Sequence, residues 1–136
     1  MTVHPPTGFE PHTRRSPATS GWEPIFAATG TGVFRLGIVI SPAHCNSRGM
    51  LHGGVIATLS DNACGLTLGL AHSGGAQGIT TTSLAVDYVG AAKVGQWLEI
   101  VPRVVKAGRA SGVVDALISA DGEVIARANA SFRIVA

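Results

Sequence analysis

The sequence predicts an α+β fold in which a curved antiparallel sheet is wrapped around one long central helix. Three observations predict it. A stretch from about Val55 to His72 repeats apolar residues at helical spacing. Four later segments alternate apolar and polar residues or are rich in β-favouring types. An Asp121-Gly122 pair between the last two marks a tight hairpin. No internal repeat is visible.

Each element follows in order. Residues 1–20 carry Pro5, Pro6, Pro11 and Pro17 with Gly8 and Ser16, and read as a disordered tail; 21–136 reads as a single domain. Trp22 to Ala28 reads as a short helix or docking segment. From Val33 to Ile40, residues Phe34, Leu36, Ile38 and Ile40 share one face and Arg35 and Gly37 the other, which is a strand pattern. Ser41 to Met50 is a loop marked by Pro42, Asn46, Ser47 and Gly49. In the helix, Ile56, Leu59, Ala63, Leu66 and Leu70 recur at helical spacing, while Ala57, Cys64, Gly65 and Gly69 fill other faces. A helix this apolar all round should be buried on most sides, and Ser73-Gly74-Gly75 should end it. The four strands are expected at about Ile79–Val89, Gln96–Lys106, Ser111–Ser119 and Val124–Val135. Pro102 suggests a bulge or edge position in the second. In the fourth, Val124, Ala126, Ala128, Ala130, Phe132 and Ile134 should face one way, opposite Arg127, Asn129, Ser131 and Arg133.

Composition limits the function classes. The 136 residues are 46% hydrophobic and 13% charged, too apolar for a disordered chain and short of charge to cover a free monomer. Surface hidden between subunits is the expected consequence. The net charge is +2 and the basic residues are scattered among only seven aromatics, so no nucleic-acid partner is expected. Cys45 and Cys64 form no CxxC or Cys/His ligand spacing, and neither a metal nor a resident cofactor is expected. No secretory signal or membrane-spanning run is read, which makes the cytoplasm the expected compartment.

Asp61 stands out. It is the only charged residue between Arg48 and Asp87, and it sits mid-helix in the most apolar part of the chain. Burying an isolated carboxylate is costly unless it is paired or functional, and such groups cluster at active sites. The residues before the helix sharpen this. His52-Gly53-Gly54 stands where the helix should begin, and the first amides of a helix are unpaired donors with partial positive charge. Such donors can stabilise an oxyanion. A carbonyl-polarising amide at the helix start and a carboxylate about two turns later are the parts acyl transfer needs. His52 reads as a local hydrogen-bonding residue that fixes the Gly53 corner. A Cys45–His52 nucleophile pair has nothing to orient it.

The stretch from Asn46 through His52-Gly53-Gly54 to Leu59-Ser60-Asp61 resembles the signature of hotdog-fold thioesterases. It is most similar to the PaaI-like (phenylacetate-pathway) branch of the 4-hydroxybenzoyl-CoA thioesterase superfamily. That pattern is Asn, His-Gly-Gly six residues on, and Asp nine residues after the His, and each is present here. The resemblance covers about residues 33 to 136, with Leu84–Val89, Lys106–Arg109 and Ala126–Phe132 matching later blocks. It implies a hotdog fold and an acyl-CoA thioesterase acting on aryl- or medium-chain acyl groups. The implied assembly is a homo-oligomer, a dimer or dimer of dimers (a homotetramer), with active sites between subunits. Carried over by the resemblance, Asp61 is nucleophile or general base, the Gly53 amide polarises the thioester carbonyl, His52 supports that site, and Asn46 positions water or the leaving thiolate. A hydroxyl residue beside the carboxylate is implied too, with Thr81 favoured over Thr82 and Ser83. The chain departs from the pattern at Gly90-Ala91, where the family commonly has Arg-Pro. Any coenzyme A phosphate contact from that Arg must pass elsewhere, and Lys93, Lys106 and Arg109 are the candidates. The competing readings are a hydratase or dehydratase of the same fold, and an acyl-CoA-binding module without turnover.

Overall fold

A computed structural model describes residues 5–30, 32–72 and 78–135. One α-helix, α1 (Gly53–Ala71), lies against a seven-stranded sheet. The strands are β1 (Glu10–Pro11), β2 (Phe26–Ala28), β3 (Arg35–Val39), β4 (Gly78–Tyr88), β5 (Trp97–Ala107), β6 (Ser111–Ala120) and β7 (Glu123–Val135), and their spatial order is β1-β2-β3-β5-β6-β7-β4. Every pairing is antiparallel. The four strands after the helix are therefore not a simple meander. β4, the first of them, pairs with β7, the last, and forms one edge of the sheet.

The helix is buried on one side and partly open on the other. Val55, Ile56, Leu59, Ser60, Ala63, Cys64, Thr67 and Leu68 face the sheet at the expected spacing. They pack on Leu36, Ile38, Leu98, Ile100, Val114, Ile118 and Phe132 from the strands. Each such fully buried aliphatic side chain contributes roughly 1.5–3 kcal/mol. The outward face is the side left open, where Gly69 is exposed and Leu70 is 54% exposed. The expected helix stop at Ser73-Gly74-Gly75 lies outside the described residues.

Two strand details also differ from expectation. Val124 points outward and is 49% exposed, whereas Ile125 is buried. The reason is a bulge: Ile118 pairs with Ala126 and Ser119 with Val124, so Ile125 has no partner on β6 and the alternation shifts by one. From Ala126 onward the predicted faces hold. Pro102 sits inside β5, but β3 covers only Trp97–Ile100, so Pro102 lies on a local edge where its missing N–H costs no ladder bond. At the β6–β7 hairpin, Asp121 (φ 48°) and Gly122 (φ 86°) both take left-handed conformations, as a two-residue I′-type turn requires.

The N-terminal segment is the largest correction. Residues 5–20 are not a loose tail. β1 pairs with β2; a 3-10 helix forms at Pro17–Trp22, ahead of the Trp22 to Ala28 stretch read as a short helix or docking segment, in which Phe26–Ala28 is strand. Phe9, His12 and Thr19 are buried. Phe9 stacks edge-on against Trp97 at 5.0 Å, in a small second cluster with Ala28. The fold thus begins well before residue 21. Prolines suit a fixed irregular path as well as a loose one, and composition alone does not separate them. No helix among the described residues is long and apolar enough to cross a membrane.

Candidate active site

The start of α1 is a small interlocking device. His52 is the N-cap residue, and its Nδ1 accepts from the Gly54 N–H at 2.8 Å. A Cβ on Gly54 would sit 2.9 Å from that nitrogen, so only glycine allows the imidazole this position. Tyr88, at the end of β4, donates its hydroxyl to the Gly53 carbonyl at 2.6 Å. Its ring covers Gly53 so closely that a Cβ there would meet it at 3.2 Å. The Gly53 N–H itself has no hydrogen-bond partner among the described residues. It is an unpaired first-turn donor.

The loop before this device is tied down by Asn46. Its Oδ1 accepts from the N–H groups of Arg48 and Met50, at 2.9 and 3.2 Å. His44 does similar work: its Nδ1 accepts from the Ser41 N–H at 2.9 Å and its Nε2 bonds the Trp22 carbonyl at 3.0 Å. Cys45 makes its contact with the Ser41 carbonyl, so it forms no pair with His52.

Asp61 lies two turns along α1 and is partly buried. The Thr81 hydroxyl donates to its Oδ1 at 2.6 Å. Of the three hydroxyl residues considered on that strand, Thr81 is the one in contact. Thr81 pairs with Phe132 and shares its helix-facing side, while Thr82 is a bulge residue and Ser83 pairs with Ser131. Asp61 and Thr81 together line a cavity of about 470 Å³, with Leu36, Leu59, Leu66, Ile79 and Phe132 forming apolar wall. Asn46, His52 and Gly53 do not line it. A larger depression of about 570 Å³ lies on the other face of the sheet, but its charges are closed on themselves as Arg127–Asp87 and Arg103–Asp115 pairs.

One distance decides what a single chain can do. Gly53 and Asp61 are eight residues apart on one helix, an axial rise of about 12 Å. A donor on a carbonyl oxygen and a group attacking the same carbon must each come within about 3 Å of the reacting atoms. The Gly53 amide and the Asp61 carboxylate of one chain cannot both serve one thioester.

Comparison with known proteins follows the same residues. The family model described as "Thioesterase superfamily" matches residues 48–126, the span from the loop before α1 into β7. The chain belongs to the thioesterase superfamily. A Pseudomonas aeruginosa protein, named provisionally as an esterase, is 31% identical over 95% of this chain and 96% of its own length. Human acyl-coenzyme A thioesterase 13 is 36% identical over 65% of this chain and 63% of its own. A solved Bacillus halodurans structure with CoA superposes with a TM-score of 0.70 at 30% identity, over 79% of this chain and 70% of that one.

In this hotdog-fold thioesterase the basic residues singled out above are not gathered into one site. Lys93 bridges to Met50 in the loop before α1. Lys106 and Arg109 belong to the β5–β6 turn region, where Gly112 abuts Leu68 in the distal half of the helix. All three are exposed. Among the described residues, no group of His, Cys, Asp and Glu is placed to hold a metal ion. Burial, with the negative charges of Asp61 and Asp115, pushes the Cys64 thiol up to about 12. Burial also raises the Tyr88 phenol, which keeps it protonated as a donor to Gly53.

Sequence reasoning missed two parts of the candidate site. Tyr88, the single tyrosine, entered only as a strand residue; the 35-residue separation from Gly53 left no local signal. His12, Arg14 and Arg15 also line the Asp61 cavity. They lie in the segment read as a tail and before the span that the family model matches.

Proposed function

We propose that this thioesterase hydrolyses acyl-coenzyme A esters to the free acid and coenzyme A. The observation that carries the proposal is the Asp61 carboxylate, held at 2.6 Å by Thr81 and lining a cavity with apolar walls. Asp61 either attacks the thioester carbon or takes a proton from the attacking water; both routes end in the same products. The Gly53 N–H receives the charge that grows on the carbonyl oxygen. One such donor is worth roughly 3–4 kcal/mol of barrier. Because one helix cannot bring both groups to one thioester, Asp61 works with the Gly53 N–H of a second copy, so the working unit is a homodimer. β4, with its outer edge unpaired and most of its residues exposed, supports that assembly. Two such dimers then form the tetramer. The names of the human relative and of the Bacillus halodurans structure support coenzyme A as the carrier. The cavity's volume and apolar wall suit an aryl or medium-chain acyl group. Lys93, Lys106 and Arg109 remain the candidates for its phosphates. Asn46 and His52 support the loop and helix start from which the Gly53 amide projects. The enzyme works in the cytoplasm, where the two unpaired thiols stay reduced.

The test is thiol release from a panel of aryl- and alkyl-CoA esters. Asp61→Asn should lower turnover by at least about a hundredfold with an unchanged melting temperature, and Thr81→Val should fall between it and the wild type. Near-normal turnover in Asp61→Asn would overturn the assignment.

A further inference from the structure

His52, Gly53 and Gly54 open α1, and among the described residues one of their backbone polar groups is left over. The His52 N–H donates to the His44 carbonyl at 2.9 Å, and the His52 carbonyl accepts from the Val55 and Ile56 N–H groups at 3.0 and 3.4 Å. The Gly54 N–H is taken by His52 Nδ1, and the Gly54 carbonyl accepts from the Thr58 hydroxyl at 2.9 Å. The Gly53 carbonyl accepts from the Tyr88 hydroxyl at 2.6 Å. The Gly53 N–H is the group without a partner. Glycine has the most permissive backbone, yet a donor helps a transition state only if its direction is fixed in advance. Gly53 has no side chain with which to fix it. The restraint comes from Tyr88, 35 residues away, whose ring stands 3.2 Å from where a Cβ would lie.

We propose that Tyr88 is a positioning residue of the hydrolytic site, its hydroxyl and ring holding the Gly53 corner so that the unpaired N–H points at the thioester oxygen. The inference rests on the acyl-CoA thioesterase reading for the reaction. Core packing does not account for this tyrosine, which is 49% exposed and lies outside both hydrophobic clusters. A phenylalanine would cover Gly53 equally well, so the hydroxyl is what tyrosine adds. The end of β4 is pinned where Tyr88 leaves it. Tyr88 pairs with Ala126, beside the bulge in β7. The N–H groups of Val89 and Gly90 both donate to the Ile125 carbonyl, at 2.8 and 3.0 Å. Gly90 stands so close to Ile125 that a Cβ would meet it at 3.2 Å. Because the Gly53 N–H serves the Asp61 of a second copy, Tyr88 acts across the dimer: it holds its own chain's corner for the other chain's carboxylate.

The informative variant is Tyr88→Phe, which keeps the ring and removes only the donor. In thiol release its kcat should fall about tenfold while KM stays within about twofold of the wild type, at a melting temperature close to the wild type's. Mixed dimers then locate the effect. Paired with an Asp61→Asn chain, a Tyr88→Phe chain supplies the carboxylate and the other chain an intact corner, so the one working site keeps the wild-type rate. With both substitutions on one chain and a wild-type partner, the one working site uses the loosened corner and runs about tenfold slower. A wild-type kcat in Tyr88→Phe, or equal rates in the two mixed dimers, would overturn the proposal. Nuclear spin relaxation of the Gly53 amide gives a readout that needs no turnover: it should be ordered in the wild type and mobile in Tyr88→Phe. If the wild type releases no thiol from any ester, the hydrolase reading fails and this amide decides the matter for Tyr88. Equal order in the two proteins would remove its positioning role.

Discussion

Thr81 reaches Asp61 only because the strand that carries it is irregular. In strict alternation Thr82, not Thr81, would share a face with Leu84, Val86 and Tyr88. The bulge at Thr82 resets the count, so Thr81 and Tyr88 both face the helix, one beside Asp61 and the other over Gly53. Asp61 also acts on its neighbours in the helix. Cys64 is fully buried and feels the negative charge of Asp61, so its thiol stays protonated far above the ordinary value of 9.0. The sign of the consequence is clear. Below about pH 9 the thiol is protonated in both folded and unfolded chains and has no effect. Between about 9 and about 12 the unfolded chain loses the proton first, so stability falls as pH rises. Cys64→Ala should flatten that alkaline decline. Urea unfolding at pH 8 and pH 10 checks it, and an equally steep loss in the variant would count against the assignment.

At the scale of elements, the His-Gly-Gly segment is a helix cap and, in the proposed mechanism, the corner that presents the Gly53 N–H. Two opposing effects decide what Gly54→Ala does. Displacing the His52 imidazole removes a cap worth about 1 kcal/mol. Replacing glycine in the first turn returns roughly 0.5–1 kcal/mol of conformational freedom lost on folding. These nearly cancel, so thermal stability should change little. Turnover should fall about tenfold or more, because the corner presenting the Gly53 N–H is no longer held. A melting curve beside a thiol-release assay separates the two. Loss of stability matched by normal activity in the surviving fold would show that the cap is structural alone. The N-terminal segment is an element of the same importance. His12, Arg14, Arg15 and Ser16, between β1 and the 3-10 turn, line one side of the cavity.

At the scale of the whole molecule, the open face of α1 and the free edge of β4 leave apolar and polar surface without a partner in one chain. The separation of Gly53 from Asp61 says what the missing surface must supply. A mixing experiment makes this quantitative. Asp61→Asn and Gly53→Val should each be nearly inactive alone. Co-expressed, they should regain about a quarter of wild-type activity, since half the dimers are mixed and each mixed dimer has one intact site. No recovery in demonstrably mixed dimers would place the whole site within one chain.

The sequence by itself determined α1, the strands β3 to β7 and the chemistry-bearing motif. Helical spacing over 55–72, alternation in the later strands and the Asp121-Gly122 turn are local patterns, and local backbone preference reads them directly. A lone carboxylate in an apolar helix, after His-Gly-Gly, is likewise visible in one line of text. Tertiary structure decided the rest, because it depended on contacts between distant residues. The β4–β7 pairing put an early strand at the sheet edge, and the two bulges moved Thr81 and Ile125 to faces that alternation would not assign. The proline-rich start took a fixed path because Phe9 found Trp97 and His12 found Glu23. Neither partner can be read from the segment itself, since burial is a property of the completed core.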